Sequence, residues 1–341
     1  YDYASDAVKR ALPTARMGGP HTTGGAAKLL KRFIIHCLKD TNAVTGKTGA
    51  PLDFVAFHAK GSPRLINGVV RMGLMNQMRN INDNFKVIAS FPETKNLPVI
   101  IGESDPEGCA ACGMQTNPEN AYRNGTMYSS YSAASIAREY DLMDAYGVNL
   151  IGAVNWSFEF ENQPWFFGFR ELATNGIDKP VLNVFRMLGM MRGNRVEVSG
   201  NLAYDYTSIL ANSVRGEKTD INALASADKK QTTVLIWNYH DDDLQGIGSP
   251  VELVLKGLKN GKATLYHYRI DDKHSNSYTV WKKMGSPQNP TPEQYQLLET
   301  SGQLELYSKP QKVRVKNAEL LIKFQLPRQA VSLVKVVYEE R

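Results

Sequence analysis

Chemistry-bearing side chains recur at the ends of short apolar runs in this 341-residue chain. Gly18-Gly19-Pro20-His21, His58-Ala59-Lys60-Gly61, Glu103-Ser104-Asp105-Pro106 and Asn155-Trp156-Ser157-Phe158 each follow such a run, and together they supply a carboxylate, a cation, imidazoles and an indole. Glu103 follows Val99-Ile100-Ile101-Gly102, so its carboxylate is expected where a buried strand opens onto a rim, the setting of a nucleophile or a base. A loop glutamate capping the next segment would present the same residue type. His58 could orient that carboxylate or bind a substrate hydroxyl, or could simply satisfy a backbone carbonyl in the core. Lys60, two residues on and therefore on the same side of a strand, could hold Glu103 ionised or meet a substrate anion, although most lysines face water. Trp156 offers a flat ring for the C–H face of a sugar, or a core filler. Beyond it, Glu161 and Arg170 could bind substrate, and Trp165-Phe166-Phe167-Gly168-Phe169 could wall a pocket or pack inside.

These residues need a scaffold that gathers strand ends. Up to about Met191 the sequence alternates short apolar runs with segments of helical spacing, the rhythm of βα units. Strands are predicted over 15–18, 52–57, 98–102 and 149–156, with helices near 26–39, 67–82, 122–146 and 179–191. Reactive side chains in such folds sit at the carboxyl ends of parallel strands. From Asn194 onward the pattern becomes the alternation of antiparallel strands, at 232–237, 251–255, 263–268 and 331–338. The stretch 271–278 reads as a turn, and 291–300 as a helix opened by Pro292. The predicted domains are 1–193 and 194–341. Four βα units leave a parallel sheet with two open edges, so the expectation is a small open sheet or one half of a larger barrel.

Composition narrows the function classes. With 42% hydrophobic and 22% charged residues the chain can bury a core, and disordered or collagen-like structure is excluded. No apolar run reaches the roughly 20 residues of a membrane helix. Forty basic against 34 acidic residues give +6, but the basic residues come singly or in pairs such as Lys229-Lys230, which argues for a solvated surface and against nucleic acid. Three cysteines are too few for a disulfide scaffold or a four-ligand zinc site. Cys109-Ala-Ala-Cys112 fits a redox pair, half a metal site, or two loop residues able to oxidise to each other.

The strand-end fragments resemble glycoside hydrolase family 39, the β-xylosidase and α-L-iduronidase family. Met17-Gly18-Gly19-Pro20 is similar to its V-G-G-P, Asp53 to His58 to D-F-V-S-x-H, Ile101-Gly102-Glu103 to I-T-E, and Asn155 to Phe158 to Y-W-T-F. Trp281 to Tyr295, W-K-K-M-G-S-P-Q-N-P-T-P-E-Q-Y, is similar to a W-x-x-M-G-x-P-x-x-P-x-x-E-Q segment further on. The resemblance implies the C-terminal half of a TIM (β/α)8 barrel, strands five to eight, followed by an antiparallel β-sandwich domain. It implies a retaining glycosidase with Glu103 as nucleophile, and with His58, Lys60, Trp156, Glu161 and Arg170 around the sugar. Lys60 stands where β-xylosidases of the family carry Tyr and the iduronidase branch reads H-x-K-G, and E-A-D-P of that branch is close to Glu103-Ser104-Asp105-Pro106. A uronic-acid substrate is therefore expected alongside a xyloside.

The resemblance calls for no metal or organic cofactor and suggests a periplasmic or extracellular setting. A retaining glycosidase needs a second carboxyl group roughly 5 Å from the nucleophile. The family draws it from an Asn-Glu pair, and no such pair precedes Met17. The other half of the barrel is therefore expected upstream or on a separate chain. Failing both, the chain is a carbohydrate-binding protein that keeps the scaffold without the chemistry. A thiol redox protein built on Cys109 and Cys112 is a third reading.

Overall fold

The computed structural model describes every residue except Gly24, Ala110, Gln245, Glu340 and Arg341. By packing, the chain falls into two compact units, the first made of Tyr1–Ser62, Gly73–Gly108 and Arg138–Trp156, the second of Pro63–Met72, Cys109–Ala137 and Ser157–Arg341.

The first unit is built on a four-stranded parallel sheet. Its strands are β1 (Gly18–Thr22), β2 (Phe54–Lys60), β3 (Val99–Asp105) and β4 (Leu150–Ala153), paired in that order. Helix α1 (Asp2–Ala11) precedes the sheet, and α2 (Ala27–Lys39), α3 (Leu74–Ala89) and α4 (Thr126–Tyr146) provide the crossovers. The sequence pattern dictates which faces turn inward. Leu30, Ile34 and Cys37 on α2, and Leu74, Met78, Ile81, Phe85 and Ile88 on α3, recur at three- and four-residue intervals and are buried. Val55, Ala56 and Phe57 are all fully buried on β2, as expected of a parallel strand covered on both faces. The edge strand β4 is different, leaving Ile151 58% exposed, with Val154 just beyond it 51% exposed. Among the described residues the sheet is open.

Several boundaries depart from the sequence prediction, among them the fourth strand, Leu150–Ala153 and not 149–156, and helix α4, which begins at Thr126 and not 122. The first strand is Gly18–Thr22, not 15–18, because its pairing partners are Phe54 to Phe57 of β2 and not an apolar run of its own. Helix α3 starts at Leu74, seven residues after the predicted 67, because Arg64–Ile66 and Val69–Arg71 form a short hairpin. The second and third strands run on to Lys60 and Asp105, so their polar ends remain in the ladder.

Besides the short hairpins 64–71 and 173–178, the second unit holds two antiparallel sheets. One has six strands in the order β10-β9-β12-β7-β6-β5, namely Glu305–Val315, Gly261–Ile270, Val331–Tyr338, Gln231–Tyr239, Asp220–Ala227 and Asn194–Val196. The other pairs β8 (Ser249–Lys256) with β11 (Glu319–Leu326). Alternate residues of both meet in one apolar core containing Val234, Ile236, Val251, Leu255, Leu265, Leu326, Val334 and Val336. Helices α5 (Pro180–Met190), α6 (Tyr206–Asn212), α7 (Ser277–Lys283) and α8 (Pro292–Gly302) complete the unit. The start of α8 is fixed as its sequence foretells: the Thr291 hydroxyl accepts from Gln294 N, the Gln294 side chain accepts from Thr291 N, and Pro292 opens the first turn. Helix α7 replaces the latter part of the predicted turn at 271–278, its first turn capped by the Asn276 side chain accepting from Thr279 N. The aromatic loop packs inward, Trp165 and Phe166 joining Ile177, Trp281 and Leu298 in a second core.

Candidate active site

Parallel pairing of β2 with β3 sets Glu103 beside His58 and Asp105 beside Lys60. Strand alternation then separates two faces. Glu103, Asp105, His58 and Lys60 share one of them, where hydrogen bonds link three of the four. The Lys60 ammonium donates to Glu103 Oε2 at 2.6 Å and to Asp105 Oδ2 at 2.7 Å. His58 Nδ1 lies 3.9 Å from Glu103 Oε1. Exposure is graded, with Glu103 24% and Lys60 14% accessible and Asp105 fully buried. An ammonium hydrogen-bonded to a carboxylate favours that carboxylate's charged form.

The opposite face of β3 is held by the helices. Ser104 Oγ donates to Glu139 Oε1 of α4 at 2.5 Å and accepts from Gln77 Nε2 of α3 at 2.8 Å. Glu139 is buried, and burial pushes its carboxyl up to about 8, so at neutral pH it is mostly a neutral acid. The backbone that presents Glu103 is thus fastened from behind by a neutral hydrogen-bond chain. Gly102 has its own reason to be glycine: a Cβ there would meet His21 Nδ1 at 2.5 Å. Its absence lets the His21 ring of β1 pack near His58, with ring centroids 5.9 Å apart.

Of the predicted site residues, His58, Lys60 and Glu103 come together. Trp156 lies three residues past β4 with half its surface exposed (51%). Glu161 is exposed and Arg170 is buried, both in the other compact unit. Asp105 is the member that sequence reading missed, and the signal was available, since i and i+2 on a strand share a face. Glu139 carried no such signal, because a charged residue in a helix of mixed polarity reads as solvent-facing. Cys109 and Cys112 are joined as a disulfide.

The sequence pattern of glycosyl hydrolases family 39 matches residues 1–312. The chain belongs to that family. It is 26% identical over 328 residues to an α-L-iduronidase of Mus musculus, covering 86% of this chain and 47% of that protein. It is also 26% identical over 296 residues to a β-xylosidase of Caldicellulosiruptor saccharolyticus, covering 84% and 52%. A solved bacterial orthologue of human α-L-iduronidase superposes with a TM-score of 0.77 at 17% identity, over 99% of this chain and 58% of that one. A monomeric β-xylosidase from Caulobacter crescentus gives 0.74 at 17%, over the whole chain and 65% of its own. These superpositions show a shared fold. The chain spans about half the length of the curated relatives it matches.

Proposed function

We propose that this chain carries the nucleophile of a retaining glycoside hydrolase that removes a terminal sugar. In this reading the parallel sheet is the second half of a (β/α)8 barrel within 1–193, and 194–341 is an antiparallel β-sandwich accessory domain. The exposed apolar edge at Ile151 and Val154 supports an incomplete barrel, since a parallel sheet is ordinarily covered and closed. Coverage of about half of each relative supports it too.

The observation that carries the proposal is the Glu103–Lys60 contact at 2.6 Å on the open face of β3. The ammonium keeps Glu103 ionised, which an attacking carboxylate must be. A Glu103 oxygen bonds to the anomeric carbon as the bond from that carbon to the leaving oxygen breaks. That oxygen takes its proton from a second carboxyl group roughly 5 Å away, which in this reading belongs to the missing half of the barrel. The same group then deprotonates a water that attacks the anomeric carbon and frees Glu103. His58 lies near Glu103 Oε1, the oxygen that Lys60 does not hold, and orients it.

Lys60 also bears on the sugar. A partly accessible ammonium favours a uronic acid through a charge-assisted hydrogen bond of about 1.5–3 kcal/mol. Matches to proteins named α-L-iduronidase support that preference, and matches to β-xylosidases keep a neutral pentoside as the second reading. Trp156, in the same compact unit as Glu103, is proposed to line the sugar site. The test is turnover of a panel of aryl glycosides, uronides included, by the complete polypeptide and its Glu103→Gln variant. Loss of turnover is expected on every substrate the parent cleaves, and equal rates would remove Glu103 from the mechanism.

A further inference from the structure

Lys60 has two carboxylate partners at nearly equal distance, and the two differ in what else can stabilise them. Glu103 is a quarter exposed and can draw on water; Asp105 is fully buried and cannot. A buried carboxylate depends far more on a paired cation than an exposed one does. Asp105 therefore holds the ammonium in place and takes a share of its charge. Were Lys60 to pair with Glu103 alone, its whole charge would fall on the attacking oxygens, making them weaker donors of electrons to the sugar. Were Asp105 present without Lys60, two carboxylates would crowd one strand end and Glu103 would protonate early.

We propose that Asp105 is a positioning residue that sets the ionisation and reactivity of Glu103 by dividing the charge of Lys60 between them. The inference rests on the reading of Glu103 as nucleophile. Besides these three, His58 of β2 faces Glu103 on the same side, His21 of β1 stands against His58, and Glu139 of α4 lies behind the strand through Ser104. None of these three hydrogen-bonds to the Lys60 ammonium among the described residues; Glu103 and Asp105 both do.

The test is covalent capture of Glu103 by a panel of 2-deoxy-2-fluoro glycosyl fluorides, in neutral and uronic forms, followed against pH by mass spectrometry of the complete polypeptide. Fluoride leaves without a proton donor, so the acid/base carboxyl drops out of the capture rate, and the neutral glycosyl fluorides, which have no carboxyl of their own, give the acid limb that is compared between variants. Lys60→Met is expected to raise that limb by about one pH unit, as loss of a contacting cation should. Asp105→Asn is expected to lower it by about as much and to slow capture at neutral pH about tenfold, since the ammonium then belongs to Glu103. The double variant, with both charges gone, is expected to return the limb to the parent's position. A merely structural role would lower the rate at all pH values without moving the limb in opposite directions. If Asp105→Asn does not fold, the comparison of Lys60→Met with the double variant decides: return of the limb supports the inference, and a limb unchanged from Lys60→Met overturns it. Capture of Glu103 in the parent, with Lys60→Met raising the limb and Asp105→Asn leaving it at the parent's position, sinks the role of Asp105 and leaves the nucleophile reading standing. Label on another residue, or turnover surviving Glu103→Gln, sinks the nucleophile reading instead.

Discussion

Lys60 and Lys179 are both held by carboxylates, yet their surroundings differ. Lys60 keeps 14% of its side chain accessible and spends its hydrogen bonds on two carboxylates. Lys179 is fully buried; it donates to the Phe169 carbonyl at 3.2 Å and lies 3.5 Å from Glu171. Glu171 in turn accepts from Phe160 N at 3.1 Å, so the pair pins both limbs of the aromatic loop. Burial pushes the Lys179 ammonium down to about 8 and raises the Glu171 carboxyl. A cation that fastens backbone is sealed off and costs stability to keep charged. Lys60, which the proposed reading gives to chemistry, stays partly accessible between two carboxylates.

The sharpest break of this contrast is Lys179→Met. It strands Glu171 and frees the Phe169 carbonyl in a dry site, and should cost about 3–5 kcal/mol in urea unfolding. Adding Glu171→Gln should recover much of that loss. A cost under about 1 kcal/mol would mean that Lys179 is no structural pin.

Glu139 extends the sealed class to a carboxyl kept neutral. Its folded value near 8 lies above the ordinary 4.5, so the folded chain holds a proton that the unfolded chain releases between those values. Its contribution to stability is therefore complete below pH 4.5 and lost as pH rises through 8. Between pH 5 and 8 the parent should lose on the order of a few kcal/mol that Glu139→Gln does not lose, since the amide keeps an acceptor for Ser104. Parallel pH profiles of parent and variant, from urea midpoints, would contradict the burial argument.

This division also explains what could be read from the sequence. The βα rhythm, the antiparallel second half and the trio His58, Lys60 and Glu103 were legible because strand ends are marked by Gly, Pro and a change from apolar to polar residues. Asp105 was within reach of the same logic. Lys179 and Glu139 were not, because burial of a charge depends on tertiary packing: Glu139 meets Ser104 across 35 residues, and Lys179 is sealed by the folding back of the aromatic loop onto it. The hairpin 64–71 was hidden for a different reason: its pairing is local, but Leu65 and Ile66 are exposed, so no apolar alternation marks it as a strand. The aromatic loop left two readings open, and its packing against Trp281, more than a hundred residues on, supports the core reading.

On the open side of the contrast, Lys60→Tyr should change preference more than stability. Replacing the ammonium by a phenol removes about 1.5–3 kcal/mol of attraction for a uronate, or about 10–150-fold in the ratio of kcat/KM for uronide over neutral glycoside. The ratio cancels any general loss of rate from disturbing Glu103. An unchanged ratio would detach Lys60 from substrate choice and leave it only its part in holding Glu103.

The smallest effect is expected at the disulfide, where a buried guanidinium is held by carbonyl acceptors. Arg123 Nη1 donates to the carbonyls of Cys109, Cys112 and Gly168 at 3.1, 3.3 and 3.1 Å. Two of these acceptors belong to the paired cysteines, so the guanidinium and the disulfide constrain the same loop. Closing so short a loop removes little freedom from the unfolded chain, about 2 kcal/mol by loop-entropy arithmetic. With the guanidinium still gathering those carbonyls, the Cys109→Ser, Cys112→Ser double variant should cost no more than that in melting experiments and leave kcat/KM unchanged. A larger loss of activity than of stability would move the pair from bracing the loop to taking part in the reaction, and would revive the thiol chemistry that the Cys-Ala-Ala-Cys spacing permits.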